Sequence, residues 1–134
     1  MVIELTKEIL ETISPKDIIY TEIAVAGAMG NEGGIIIYVV KENQLIHYET
    51  SIFTNEDVYR LTVEYISINE NKFFDFYQGG FGNAVFINKD AELKIKEEYF
   101  EYIDDGNKYK IYSSVKGVFN RVVSSMNNPN NQKL

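Results

Sequence analysis

The chain has 134 residues, no Cys and no Trp, and 20 acidic side chains against 13 basic ones for a net charge of -7. That length sets one domain with a substantial core, and the missing cysteines exclude disulfides, thiolate metal sites and a Cys nucleophile. The acid surplus argues against general binding to nucleic acid or anionic membrane, because both are polyanions.

Residues 2–13 read as a helix. Val2, Ile3, Leu5, Ile9, Leu10 and Ile13 share one helical side, with Glu4, Lys7, Glu8 and Glu11 opposite. Ser14 and Pro15 end it, since the residue before Pro avoids the α region. The same N-terminal acids lack the basic start of a signal peptide, and the longest apolar run, 35–40, falls far short of the roughly 20 residues that span a bilayer. The expected location is cytoplasmic.

Residues 18–26 are β-branched and form a strand. A loop with Gly27, Gly30, Gly33 and Gly34 follows. Residues 35–42 make a second strand, apolar on both faces and therefore central. After a turn at Glu42 and Asn43, residues 45–53 complete an antiparallel meander. Thr54 with Glu56 and Asp57 signals a helix start. Val58, Leu61, Thr62, Tyr65, Ile66 and Ile68 then gather on one helical face.

Strands are expected at 73–78 and 83–88. Another runs from Glu92 to about 103, with a break at Glu97 and Glu98. Asp105 and Gly106 make a hairpin turn, and 108–112 returns. A last helix spans 114–126, with Val115, Val118, Phe119, Val122, Val123 and Met126 on one face. Residues 127–134 form a polar, frayed tail. The expected fold is α+β: a single antiparallel sheet carrying an N-terminal, a middle and a C-terminal helix, as one domain over 1–126.

Chemistry-bearing motifs are few. The Gly-rich stretch approximates a dinucleotide fingerprint in spacing, but a strand follows it where that motif opens a helix. His47 is the one His, and its neighbours Ile46, Tyr48 and Glu49 show strand alternation without a nucleophile. A structural or surface role fits it best. One His without Cys disfavours zinc and copper. No cofactor, metal or catalytic residue is assigned.

Charge is segregated along the chain. Residues 1–107 hold every acid and net -12, whereas 108–134 net +5. The acids peak at Glu97, Glu98, Glu101, Asp104 and Asp105, with no base among them. On a continuous strand, Glu97 and Glu101 share one face, and Glu98 and Asp104 the other. The cluster reads either as a solvated face or as a surface for a basic partner, which would gain in rate and affinity by neutralising it. Aromatics crowd beside it: Tyr99, Phe100, Tyr102, Tyr109 and Tyr112, after Phe73, Phe74, Phe76 and Tyr77. Alternation sends about half of them into the core and leaves the rest for an interface.

Two stretches resemble a known family. Tyr20-Thr21-Glu22-Ile23 with Gly33-Gly34-Ile35-Ile36-Ile37-Tyr38 is similar to the strand, Gly-rich loop and aromatic strand of the YezG/EsaG-type antitoxins. Ala84-Val85-Phe86-Ile87, then Glu92-Leu93-Lys94-Ile95-Lys96 and Tyr99, resembles their late hairpin. The likeness covers residues 1–103 by order of elements. The Trp typical of family members near that hairpin is missing, and the family's helix is more acidic and aromatic than 55–69.

The resemblance implies a non-enzymatic cytoplasmic immunity protein that neutralises a nuclease-type toxin. The expected partner-binding residues are Glu97, Glu98, Tyr99, Glu101, Tyr102, Asp104 and Asp105, in a monomer or homodimer that binds neither nucleic acid nor membrane. The alternatives are a ligand-binding or enzymatic domain with a pocket between sheet and helices, or a homo-oligomeric structural module.

Overall fold

β-branched and aromatic runs put most of the described residues into strands. The computed structural model describes residues 1–26, 32–50, 56–78, 81–89, 92–96, 99–104 and 106–112. In chain order its elements are β1 (Val2–Glu4), α1 (Lys7–Thr12), a 3-10 turn (Pro15–Asp17), β2 (Ile18–Ala26), β3 (Glu32–Lys41), β4 (Gln44–Glu49), α2 (Glu56–Ile68), β5 (Lys72–Gln78), β6 (Phe81–Ile87), β7 (Glu92–Ile95), β8 (Phe100–Asp104) and β9 (Asn107–Ile111).

This architecture corrects the expected α+β fold of one antiparallel sheet under three helices. The molecule is mostly β. A six-stranded sheet runs in the order β1-β4-β3-β2-β6-β5, and a separate three-stranded sheet in the order β7-β8-β9. The large sheet is mixed, because β1 pairs in parallel with β4, Val2 opposite His47 and Glu4 opposite Glu49. The described residues contain two α-helices, and the helix expected at 114–126 and the tail after it lie outside them.

The N-terminal difference has a local cause. The stretch read as one helix divides at Thr6, whose hydroxyl accepts a hydrogen bond from the Ile9 N–H at 3.2 Å. That cap starts α1 and leaves Val2 and Ile3 extended. The second difference lies near the end of the chain. The stretch from Glu92 folds back on itself, so β7 and β8 are antiparallel neighbours, with Lys94 opposite Glu101.

Other features follow the local chemistry. β3 and β4 are joined by Glu42 and Asn43, both at positive φ (53° and 63°), which matches the twist of a two-residue hairpin. Gly106, at φ +82°, turns β8 into β9. Gly33 and Gly34, read as loop, belong to β3. A Cβ on Gly34 would meet the Thr50 carbonyl oxygen at 3.0 Å, so a larger residue would push these backbones apart by a few tenths of an ångström. Residues 27–31 of the expected loop lie outside the described residues. In β2, Ile19 is an extra residue between the pairs Ile18–Val39 and Tyr20–Tyr38, a bulge that sends the consecutive Ile19 and Tyr20 into the same core.

The large sheet is covered on both faces. One face carries Ile18, Ile23, Ile35, Ile37 and Val39, packed against Leu10 of α1 and Val58 and Ile66 of α2. The other carries Tyr20, Ile36, Tyr38, Phe74, Val85 and Ile87, packed against Phe100, Tyr102 and Ile111 of the small sheet. The order of layers is helices, six-stranded sheet, three-stranded sheet. Tyr38 clasps the last two. Its hydroxyl donates to the Tyr112 carbonyl at 3.2 Å and accepts from the Tyr112 N–H at 3.3 Å.

Candidate functional site

The small sheet decides which residues of its acidic-aromatic segment face outward. Phe100, Tyr102 and Ile111 point into the core. With a period of two, Glu101, Ile103, Lys108 and Lys110 point away from it. The register builds three outward rows: Tyr99 beside Tyr112, then Lys94–Glu101–Lys110, then Ile103 beside Lys108.

The expected partner-binding residues divide accordingly. Tyr102 is only 8 % exposed and stacks on Tyr109 with ring centroids 6.0 Å apart. It is a core residue, not a surface anchor. Tyr99 stands half-buried on the outer face, 5.6 Å from the ring of Tyr112, which is 49 % exposed. The Lys110 ammonium sits over the Tyr99 ring at 5.1 Å from its centroid, a cation–π contact. Glu101 also faces outward, with Lys94 and Lys110 directly opposite on its two neighbouring strands. This row of the outer face is therefore mixed in charge. Asp104 ends β8, its backbone paired with that of Asn107. Glu97, Glu98 and Asp105 lie outside the described residues.

The structure thus brings together Tyr99 and Glu101 from the expected set, and adds Tyr112, Lys94, Lys108 and Lys110. Buried Phe100 and Tyr102 were the signal available in the sequence: two aromatics at i and i+2 with charged residues between them mark the inward face.

His47 stands on β4, stacked on Tyr38 at 4.5 Å between centroids. Its Nε2 lies 3.3 Å from a Glu49 carboxylate oxygen. Burial lowers its pKa below the ordinary histidine value, the Glu49 carboxylate opposes that shift, and the N-terminal ammonium adds to it. A folded-state pKa below the unfolded one means that the unfolded chain binds the proton first. Stability is expected to fall as pH drops below about 6.5. An NMR titration of the imidazole should place its midpoint below that of a free histidine. A midpoint above 6.5 would show Glu49 to dominate.

Between the two sheets, Glu22 is 1 % exposed and accepts a hydrogen bond from the Tyr20 hydroxyl at 3.2 Å. Burial, followed by the nearby Glu22 charge, pushes the Tyr20 pKa well above the usual tyrosine range.

On the helix side of the large sheet, Ile66, Ser67, Glu70, Asn71, Phe73 and Phe86 line a groove of about 510 Å³ at the end of α2. Among the described residues, no group of three or more His, Asp or Glu side chains is placed to hold a metal ion. Nor is any described helix long and apolar enough to cross a membrane. No protein-family model, characterised protein or solved structure matches the chain.

Proposed function

We propose that the chain is a cytoplasmic protein-binding module, most concretely an immunity protein that neutralises a nuclease-type toxin. The observation that carries this reading is the outer face of the small sheet. There the Tyr99–Tyr112 pair stands beside Glu101, and the sequence just before Tyr99 holds Glu97 and Glu98. Tyrosine pairs supply large, rigid contact area at low entropic cost, as interface anchors do.

Electrostatics supplies the direction. A nuclease cleft is basic because it must hold phosphates. Glu101 is flanked by lysines, so the acids beyond its row are the ones left to attract such a cleft. Lys94 and Lys110 make the face mixed in charge, which favours a partner with its own carboxylates beside its basic centre and penalises a uniformly basic one. The face blocks the toxin by occupying the site of its nucleic acid.

Charge reversal tests this directly. The triple variant Glu97→Lys, Glu98→Lys, Glu101→Lys should slow association with the toxin encoded beside this gene by about tenfold or more at low salt, because steering by charge is lost. Toxin neutralisation should fall with it. Intact neutralisation by this variant rules out the acidic segment as the contact.

A further inference from the structure

We infer that the groove at the end of α2 is a binding site for a small aromatic amine in its ammonium form. The site lies on the opposite side of the large sheet from the Tyr99–Tyr112 face, so it stands independently of the antitoxin reading.

The floor is aromatic. Phe73 on β5 and Phe86 on β6 stack with centroids 4.7 Å apart and ring planes 23° from parallel. α1 and α2 pack over β1 to β4, and the β5–β6 end of this face keeps the two rings half-buried. Ile66 forms the wall. A volume of about 510 Å³ falls within the range of small-molecule pockets.

The lining holds one carboxylate, that of Glu70, and no basic residue. α2 has 13 residues and no basic residue in its last turn, so the partial negative charge of its C-terminal carbonyls has no local cation within that turn. The Ser67 hydroxyl donates to the Val63 carbonyl at 3.0 Å, and the Asn71 amide to the Ile66 carbonyl at 2.7 Å. Both donors are directed back into the helix, which leaves oxygen acceptors at the groove. Glu70, at φ +51°, follows the helix and binds Lys89 at 3.0 Å in an exposed pair. Its carboxylate can accept further hydrogen bonds. An apolar aromatic floor beside a helix C-terminus and a carboxylate matches a flat ring carrying a cationic donor. The same end repels a carboxylate-bearing analogue.

The test uses the intact chain and three probes of equal size: phenethylammonium, phenethyl alcohol and phenylacetate. The cation should produce saturable amide shifts at Ile66 to Phe73 and at Phe86, with a Kd near the millimolar range. It should bind at least several-fold tighter than the alcohol and about tenfold tighter than the anion. Ser67 is exposed, so Ser67→Lys should keep the fold while placing its own ammonium in the groove, and should abolish the shifts. Glu70→Gln should weaken the cation and leave the alcohol unchanged. Equal or stronger binding of phenylacetate, persistence of the shifts in Ser67→Lys, or no saturable shift with any probe at about 10 mM overturns the assignment.

Discussion

Phe100→Ala is expected to lower the stability of the chain by about 3–5 kcal/mol. Phe100 is fully buried and sits where the two sheets meet, 6.3 Å from the Tyr20 ring and within the cluster that joins Tyr38, Val85, Ile87 and Ile111. Truncation removes the transfer free energy of the ring and leaves a cavity between two layers that cannot collapse independently. A domain has only about 5–15 kcal/mol in total, so this is a large share. The small sheet has three strands and one buried face, so loosening it should free β8 and β9 first. Urea unfolding with amide exchange checks both parts. The variant should show a midpoint well below the parent and faster exchange in β8 and β9 than in β2 and β3. A loss under about 1 kcal/mol would mean that the sheets are not held through Phe100. The same variant should lose partner binding, because it unseats Tyr99 and Tyr112.

Alkaline unfolding should be steep. Burial first, then the Glu22 charge and hydrogen bond, raise the Tyr20 pKa well above 10. Burial also raises that of Tyr38, against the lowering effect of its bond to Tyr112 and with help from Glu22 and Glu49. Both folded-state values exceed the unfolded value of about 10, so the native state holds these protons after the unfolded chain has released them. The stabilisation is complete below pH 10 and is lost as pH rises towards the folded values. Each tyrosine contributes a slope of up to about 1.4 kcal/mol per pH unit. Tyr20→Phe should remove one such slope and leave the Glu22 carboxylate without that donor. Tyr38→Phe should remove another and also open the Tyr112 clasp, at about 1–3 kcal/mol near neutral pH. Denaturant midpoints measured from pH 8 to 11.5 check this, and an unchanged alkaline slope in Tyr20→Phe would contradict it.

Local chemistry was legible where it was self-sufficient. The β-branched run of β2, the amphipathic α2, the two-residue turn after Lys41 and the Gly106 turn before β9 each carry their own cause. The misread elements depend on distant partners. Val2 and Ile3 fit a helical side as well as a strand, and what makes β1 a strand is β4, more than 40 residues away. The stretch 92–104 carries no Gly or Pro between β7 and β8, so it read as one strand with a break at Glu97 and Glu98. The charge of the outer face rests on the pairing of β7 with β8. Once β7 and β8 are neighbours, Lys94 stands opposite Glu101, and a segment that looked purely acidic becomes mixed. Only Tyr99 and Glu101 of the expected set stand outward among the residues whose side chains are described. The groove was not legible at all, because Phe73 and Phe86 meet Ile66 and Ser67 only through packing.

The net charge of -7 therefore acts as a distribution, with its acids densest from Glu97 to Asp105 along the sequence. The measurement closest to the central proposal is a calorimetric titration of the purified chain with the product of the gene next to its own, at low and moderate salt. A stoichiometric complex is predicted, tight at low salt, weaker as salt rises, and lost in Tyr99→Ala together with Tyr112→Ala. No heat of binding at either salt, or an affinity untouched by those two substitutions, would contradict the account.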